Sequence, residues 1–254
     1  PAAFIKLGEI GMTAVSASNE DLFDRSFRYL SLGLCVFLSC FTIYSILHGQ
    51  FTAHVQRGVF LLAALLTTFS LKPFSKTWMA SGRARLIWTD RLITLTFMAL
   101  ITFAVGYLFV NFFEIAAYRE GIPNHWDLIC YTTGIVAVLE GVRRTDGWAL
   151  LSVILVVIAY MFWGHHLPGL LMHHPMSFSE IVETLFGLNG VYGIALAVVA
   201  NIIYIFVIFG AILRVTGAGD LFIVLAYMLT GLYVGGPAQS SVVASAFLGS
   251  INGS

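Results

Sequence analysis

Six apolar runs dominate this 254-residue chain, at about 29–47, 58–74, 91–112, 127–141, 147–163 and 190–213. A helix needs about 20 such residues to cross the hydrocarbon core of a bilayer. Lipid offers no partner to a backbone N–H or C=O, so runs of this kind become α-helices, which pair those groups internally. The second, fourth and fifth runs are short and must recruit flanking residues, which leaves six spans as the expectation. Composition points the same way: 59% of residues are hydrophobic and 10% charged, whereas a soluble domain carries about 25% charged residues. The expected fold class is therefore all-α integral membrane protein. A formal net charge of zero lends no support to nucleic-acid binding. Residues 1–28 lack an apolar core of the kind a cleavable signal peptide needs, so none is expected.

Lysine and arginine set the orientation, because short cytoplasmic loops accumulate them. Lys6, Arg25 and Arg28 precede the first run; Lys72, Lys76, Arg83, Arg85 and Arg91 follow the second; Arg143 and Arg144 follow the fourth; Arg214 closes the sixth. The alternate loops hold only Arg57 and Arg119, and residues 164–189 hold neither type. This alternation predicts a cytoplasmic N-terminus. Trp78, Trp88, Trp126, Trp148 and Trp163 fall at the predicted span edges, as an interfacial aromatic belt requires. Residues 1–28 read as an interfacial segment in which Ser18, Asn19, Glu20 and Asp21 offer N-caps to an amphipathic stretch with Leu22, Phe23, Phe27 and Leu30 on one side.

Few residues inside the spans carry chemistry. Cys35, Cys40 and Cys130 lack metal spacing and read as small core hydrophobes. His165, His166, His173 and His174 lie in an outer loop that also contains an amphipathic piece, residues 179–186; adjacent imidazoles point in different directions, and no carboxylate or Cys completes a zinc set. Glu140 with Arg143 and Arg144, like Asp90 with Arg91, reads as a charge cluster at a span end. Asn201 is polar in the middle of the sixth run and reads as interhelical glue, with ion contact as the alternative. A haem- or quinone-binding membrane anchor of a respiratory complex would need histidines facing each other inside spans, and the seven histidines flank or occupy loops. No catalytic pairing lies at span depth, so no enzyme, organic cofactor or transition metal is expected.

The last 38 residues behave differently. Gly217-Ala-Gly-Asp220 breaks the chain, and 217–236 reads as a helix along the cytoplasmic face, with Asp220 as its N-cap and Gly231, Gly235 and Gly236 releasing it. Residues 237–254 then read as the first arm of a helical hairpin that enters the bilayer and breaks at Gly249-Ser-Ile-Asn-Gly-Ser254. Irregular backbone at membrane depth is tolerated only in protein or against a wet cavity, and there its carbonyls and hydroxyls can coordinate a small cation. Glycine admits the backbone angles that expose carbonyls. The returning arm of such a hairpin must follow Ser254, so the chain is expected to be the N-terminal part of a longer polypeptide.

Several segments occur in one order: Leu139-Glu-Gly-Val-Arg-Arg-Thr-Asp-Gly-Trp148, Leu167-Pro-Gly-Leu170, Gly190-Val-Tyr-Gly193, Phe209-Gly-Ala-Ile-Leu-Arg-Val-Thr-Gly-Ala-Gly219, Leu229-Thr-Gly-Leu-Tyr-Val-Gly-Gly-Pro-Ala238 and Val243-Ala-Ser-Ala-Phe-Leu-Gly-Ser-Ile-Asn-Gly-Ser254. Together they resemble the fused membrane subunit of tripartite ATP-independent periplasmic (TRAP) transporters, in the branch served by a TAXI-type binding protein. The resemblance covers 139–254; before that it rests on helix count and placement. It implies a four-helix small-subunit-like scaffold at 29–146, the first large-subunit-like helices at 147–216, the cytoplasmic arm at 217–236 and the hairpin arm at 237–254. It also implies Na⁺-coupled uptake of small organic anions, dicarboxylate-like acids, by an elevator movement in a bacterial inner membrane, with substrate delivered by the periplasmic binding protein. The second hairpin and the rest of the transport domain are not among these 254 residues, so this stretch alone is not expected to transport. Gly249, Ser250, Ile251, Gly253 and Ser254 match the family's hairpin pattern, while Asn252 stands where serine is usual and still offers an oxygen. The candidate Na⁺ and substrate contacts are thus Gly249, Ser250, Asn252, Gly253 and Ser254, with Ser245 and Asn201 as lesser ones.

Overall fold

A computed structural model describes residues 22–49, 51–75, 77–78, 83–119, 121–187, 190–231 and 235–252. The elements are α1 (Leu22–His48), α2 (Ala53–Leu71), α3 (Ala84–Glu114, continued by a π-helical turn Ile115–Arg119), α4 (His125–Asp146) and α5 (Trp148–Trp163). Two short 3₁₀ turns, Gly164–His166 and Gly169–Leu171, lead to α6 (Phe178–Phe186). Then come α7 (Ile194–Val198), a π turn Val199–Ile203, α8 (Tyr204–Val215), α9 (Ala218–Thr230) and α10 (Gly236–Asn252). The described residues contain helices and connections and no strand.

Among the described residues, five helices are both long and apolar enough to cross a membrane, by length and composition: Arg25–His48, Ala53–Leu71, Arg85–Arg119, Trp148–His166 and Ile194–Val215. The fourth run falls in α4, whose 22 residues are long enough. It misses on apolarity because Asp127 sits in its first turn and Glu140, Arg143 and Arg144 in its last turns. Residues 22–28 are helical and run without interruption into the first span; Ser18 to Asp21 lie outside the described residues. Trp88, Trp126, Trp148 and Trp163 are exposed at or near helix ends.

The chain divides into two units, residues 1–37 with 61–186, and residues 38–60 with 187–254. In the first unit, α3 and α4 meet along a seam of small residues. Ala104 is fully buried, and the Cys130 thiol, also fully buried, donates to its carbonyl at 3.1 Å. Small side chains let two backbones approach this closely, and dispersion then does what the hydrophobic effect cannot do in lipid. Cys130 is thus a core residue, whereas Cys35 and Cys40 are exposed; both lie on the first span, whose most apolar window is only 22% buried. The Phe186 ring of α6 sits against Gly134 of α4, where a Cβ would fall 2.1 Å from Cζ. That contact seats the short helix: Ile181, Val182 and Phe186 are buried.

Polar groups close both ends of the α3–α4 pair. At one end Asp127 is fully buried. It accepts from the Tyr107 hydroxyl at 2.8 Å, from Arg119 at 3.1 and 3.2 Å and from the backbone N–H of Asn124 at 2.9 Å. Asn124 returns the favour as N-cap, completing a capping box. At the other end Glu140 accepts from Arg143 and Arg144, both at 2.7 Å. Arg144 donates onward to the Lys72 carbonyl and the Thr94 hydroxyl, and Arg143 to the Phe74 carbonyl. Asp90 accepts from the N–H groups of Phe74 and Ser75, so the turn after α2 is pinned to α3 and α4 at once.

In the second unit the Ser45 hydroxyl donates to Gln56 at 3.0 Å, and both side chains are buried. Arg57 donates to the Tyr192 carbonyl at 2.6 Å, and the Phe60 ring meets that of Tyr204 edge-on at 5.3 Å. These contacts tie the α1–α2 turn to the Gly190–Gly193 motif and to α8.

Candidate functional site

The candidate site is built on the α9–α10 pair. Gly217, at φ 75, stands at the N-cap of α9, and no side chain bonds the exposed N–H groups there. The expected cap, Asp220, is instead the third residue of the helix. The chain must turn sharply after α8, and glycine in the left-handed region makes that turn without the Cβ strain aspartate would carry. Leu221–Thr230 is the short apolar stretch of this helix. It ends at Gly231, whose N–H donates to the Tyr227 carbonyl at 2.7 Å.

Gly235, at φ 82, then opens α10, its carbonyl accepting from the N–H groups of Ala238 and Gln239. Pro237 falls in the first turn, where its missing N–H breaks no bond. Gly236 is there because of a close approach: a Cβ on it would stand 2.7 Å from the Gly231 carbonyl oxygen and 2.8 Å from that of Thr230. The two helices lie against each other with the Phe222 and Phe247 rings 6.2 Å apart. An open groove of about 430 Å³ between them is lined by Thr230, Ala238, Gln239, Val242 and Val243.

The helix α10 runs unbroken through Gly249 and Ser250 to Asn252, so among the described residues these positions are helical and the expected break does not fall on them. A single glycine costs a helix about 1 kcal/mol relative to alanine, too little to interrupt a stretch otherwise made of Val, Ala, Phe, Leu and Ile. Its hydroxyls do not compete either, because Ser240, Ser241 and Ser245 each donate to a carbonyl three or four residues back. Ser245 is thereby satisfied within its own helix and is exposed. Gly253 and Ser254 lie outside the described residues. The structure thus brings Gly249, Ser250 and Asn252 together on one helical turn and places Ser245 earlier on the same helix.

Asn201 is elsewhere, in the π turn between α7 and α8. Its Oδ1 is buried without a hydrogen-bond partner, so it does not glue two helices through that atom. A π turn is a one-residue bulge, frequent where function demands an altered backbone, and nothing in the apolar run announced it. Among the described residues no group of three or more His, Cys, Asp or Glu is placed to hold a metal ion.

Residues 133–254 match the family model described as tripartite ATP-independent periplasmic transporter, DctM component. The match supports a TRAP-transporter membrane component. It begins inside α4 and takes in every later element, including the α9–α10 pair. Neither the curated proteins nor the solved structures provide a match. The TRAP match covers 122 of the 254 residues. Together with the five apolar helices it makes this a multi-pass membrane protein.

Proposed function

We propose that the chain is the membrane permease part of a Na⁺-coupled TRAP transporter of the TAXI branch, fused from small- and large-subunit-like portions. It takes up small dicarboxylate-like acids handed over by a periplasmic substrate-binding protein. The observation that carries this reading is the DctM match, because it covers the α9–α10 pair from end to end. The four-helix scaffold occupies 29–146, the arm 217–236 and the hairpin arm 237–254, and an elevator movement of the transport domain carries substrate inward. The N-terminus is cytoplasmic in a bacterial inner membrane, as the loop charges require.

The final turn of α10 suits a coupling ion. A helix break at this point would free carbonyls at the negative end of the helix dipole. Na⁺ is hard and singly charged, and such carbonyls with hydroxyl and amide oxygens suit it without a carboxylate cage. Ser250, Asn252 and Ser254 supply those side-chain oxygens, and Gly249 and Gly253 leave room for the ion to approach.

The full-length protein in liposomes, given its binding protein loaded with a labelled acid, is expected to accumulate the acid only under an inward Na⁺ gradient. Uptake indifferent both to Na⁺ and to the binding protein contradicts the proposal.

A further inference from the structure

We propose that His173 is a proton-operated latch that holds the loop between α5 and α6 onto the C-terminal end of α5. Each ring nitrogen faces a carbonyl oxygen: Nε2 lies 3.1 Å from that of Tyr160 and Nδ1 2.7 Å from that of His174. A neutral imidazole has one N–H and can serve one of them; an imidazolium has two and serves both. Tyr160 lies in the last turn of α5, where its carbonyl also accepts the Gly164 N–H and the helix dipole favours a cation.

The space for the ring is provided by Gly164. A Cβ there would fall 2.4 Å from both Cδ2 and Nε2 of His173. Tyr160 makes a second clasp: its ring meets the imidazole edge-on at 5.1 Å, and its hydroxyl donates to the Leu171 carbonyl at 2.7 Å. That bond does not involve the imidazole, so the two clasps are separate.

The ionisable groups around the latch are few. His165 and His166 lie on the 3₁₀ turn after α5, His174 is adjacent in the loop, and Glu180 of α6 is near enough to His174 to feel its charge. The segment 164–189 contains no Lys or Arg to repel a proton. The Tyr160 carbonyl first, and the His174 carbonyl second, hold the His173 imidazole above its ordinary value of 6.5, against a smaller opposing effect of desolvation. The sign follows. A raised value in the folded loop means the latch contributes fully below 6.5 and is lost as pH rises through the raised value. On the orientation proposed above, the loop lies on the non-cytoplasmic side and answers to the pH there.

The test uses the full-length protein in lipid nanodiscs with histidine-selective isotope labelling. The His173 ring is expected to titrate above 6.5. Hydrogen exchange of residues 167–177, corrected for intrinsic rates, is expected to lose protection between about pH 5.5 and about pH 8.5, across the imidazole range. His173→Gln abolishes that pH-dependent component. Gly164→Ala drives the ring out and returns its titration to the ordinary value. His174→Gln keeps the backbone carbonyl and leaves the His173 titration where it was. A His173 midpoint at or below 6.5, or loop protection with one pH profile in wild type and His173→Gln, overturns the proposal. None of these readouts needs transport, so they are independent of the Na⁺ coupling.

Discussion

Glu140 is held by two arginines that are not equivalent. The Arg144 side chain is fully buried, over the Phe69, Phe74 and Phe97 rings, and it carries bonds to Glu140, Lys72 and Thr94. Arg143 is partly exposed. Glu140 keeps one arginine in either single variant, so the difference lies in burial and in the other bonds each arginine carries, and removing a fully buried partner costs more than removing a partly exposed one. Arg144→Leu is therefore expected to destabilise the protein more than Arg143→Leu. Arg144→Lys should not restore it, since an ammonium cannot reproduce the fork that reaches both Glu140 and Thr94. Thermal unfolding of the three variants in nanodiscs decides this, and equal losses for the two leucine variants contradict it. Gly134 makes a second claim at this scale. Gly134→Ala drives a methyl into the Phe186 ring and should cost about 1–3 kcal/mol, as overpacking does. Combining it with Phe186→Leu should recover part of that loss; a double variant no more stable than Gly134→Ala would place the strain elsewhere.

Short elements here are set by their caps. Ser177 and Glu180 form a reciprocal box before α6: the Ser177 N–H donates to the Glu180 carboxylate at 2.7 Å, and the Glu180 N–H to the Ser177 hydroxyl at 3.3 Å. The Ser177 backbone first, then its side chain, holds the Glu180 carboxyl below the ordinary carboxylate value of 4.5. A lowered value in the folded state means the cap is fully present above 4.5 and is lost as pH falls through the lowered value. Hydrogen exchange of residues 178–186 should therefore gain in rate, beyond the intrinsic change, only on the acid side, and Glu180→Gln should remove that dependence. A profile unchanged by Glu180→Gln rules the cap out. Both boxes, Asn124 with Asp127 and Ser177 with Glu180, are written in the sequence as a polar cap followed three residues later by an acid. They are legible from spacing alone. The N-cap of α9 was not, because Asp220 has the right chemistry for a cap while the backbone turn asks for the conformational freedom of Gly217. The contacts of Asp127 with Tyr107 and Arg119 were out of reach for another reason: they join residues brought together only when α3 and α4 pack.

For the whole molecule, apolar run length was enough to place helices, because a membrane leaves the backbone no other choice. The fourth run is less apolar than the other five, since α4 trades apolarity for the polar clusters that lock its two ends. The motif resemblance from 139 onward and the family match from 133 coincide over nearly the same residues. Residues 249–252 were legible only in part: their types could be read, but helix propagation through Gly249 to Asn252 depends on the apolar neighbours and the back-bonded serines. Only 6% of the most apolar window of Ile194–Val215 and 11% of that of Trp148–His166 are buried. Those faces are therefore left for lipid or for further protein. The central claim is that the final turn of α10 holds the coupling ion, and the most direct measurement is the Na⁺ activation curve of uptake in proteoliposomes. Ser250→Ala and Asn252→Ala are predicted to move half-activation to higher Na⁺ while the amount of folded protein stays close to wild type. Ser245→Ala, whose hydroxyl is already satisfied within the helix, should leave the curve in place. Wild-type Na⁺ dependence in both Ser250→Ala and Asn252→Ala would contradict the assignment.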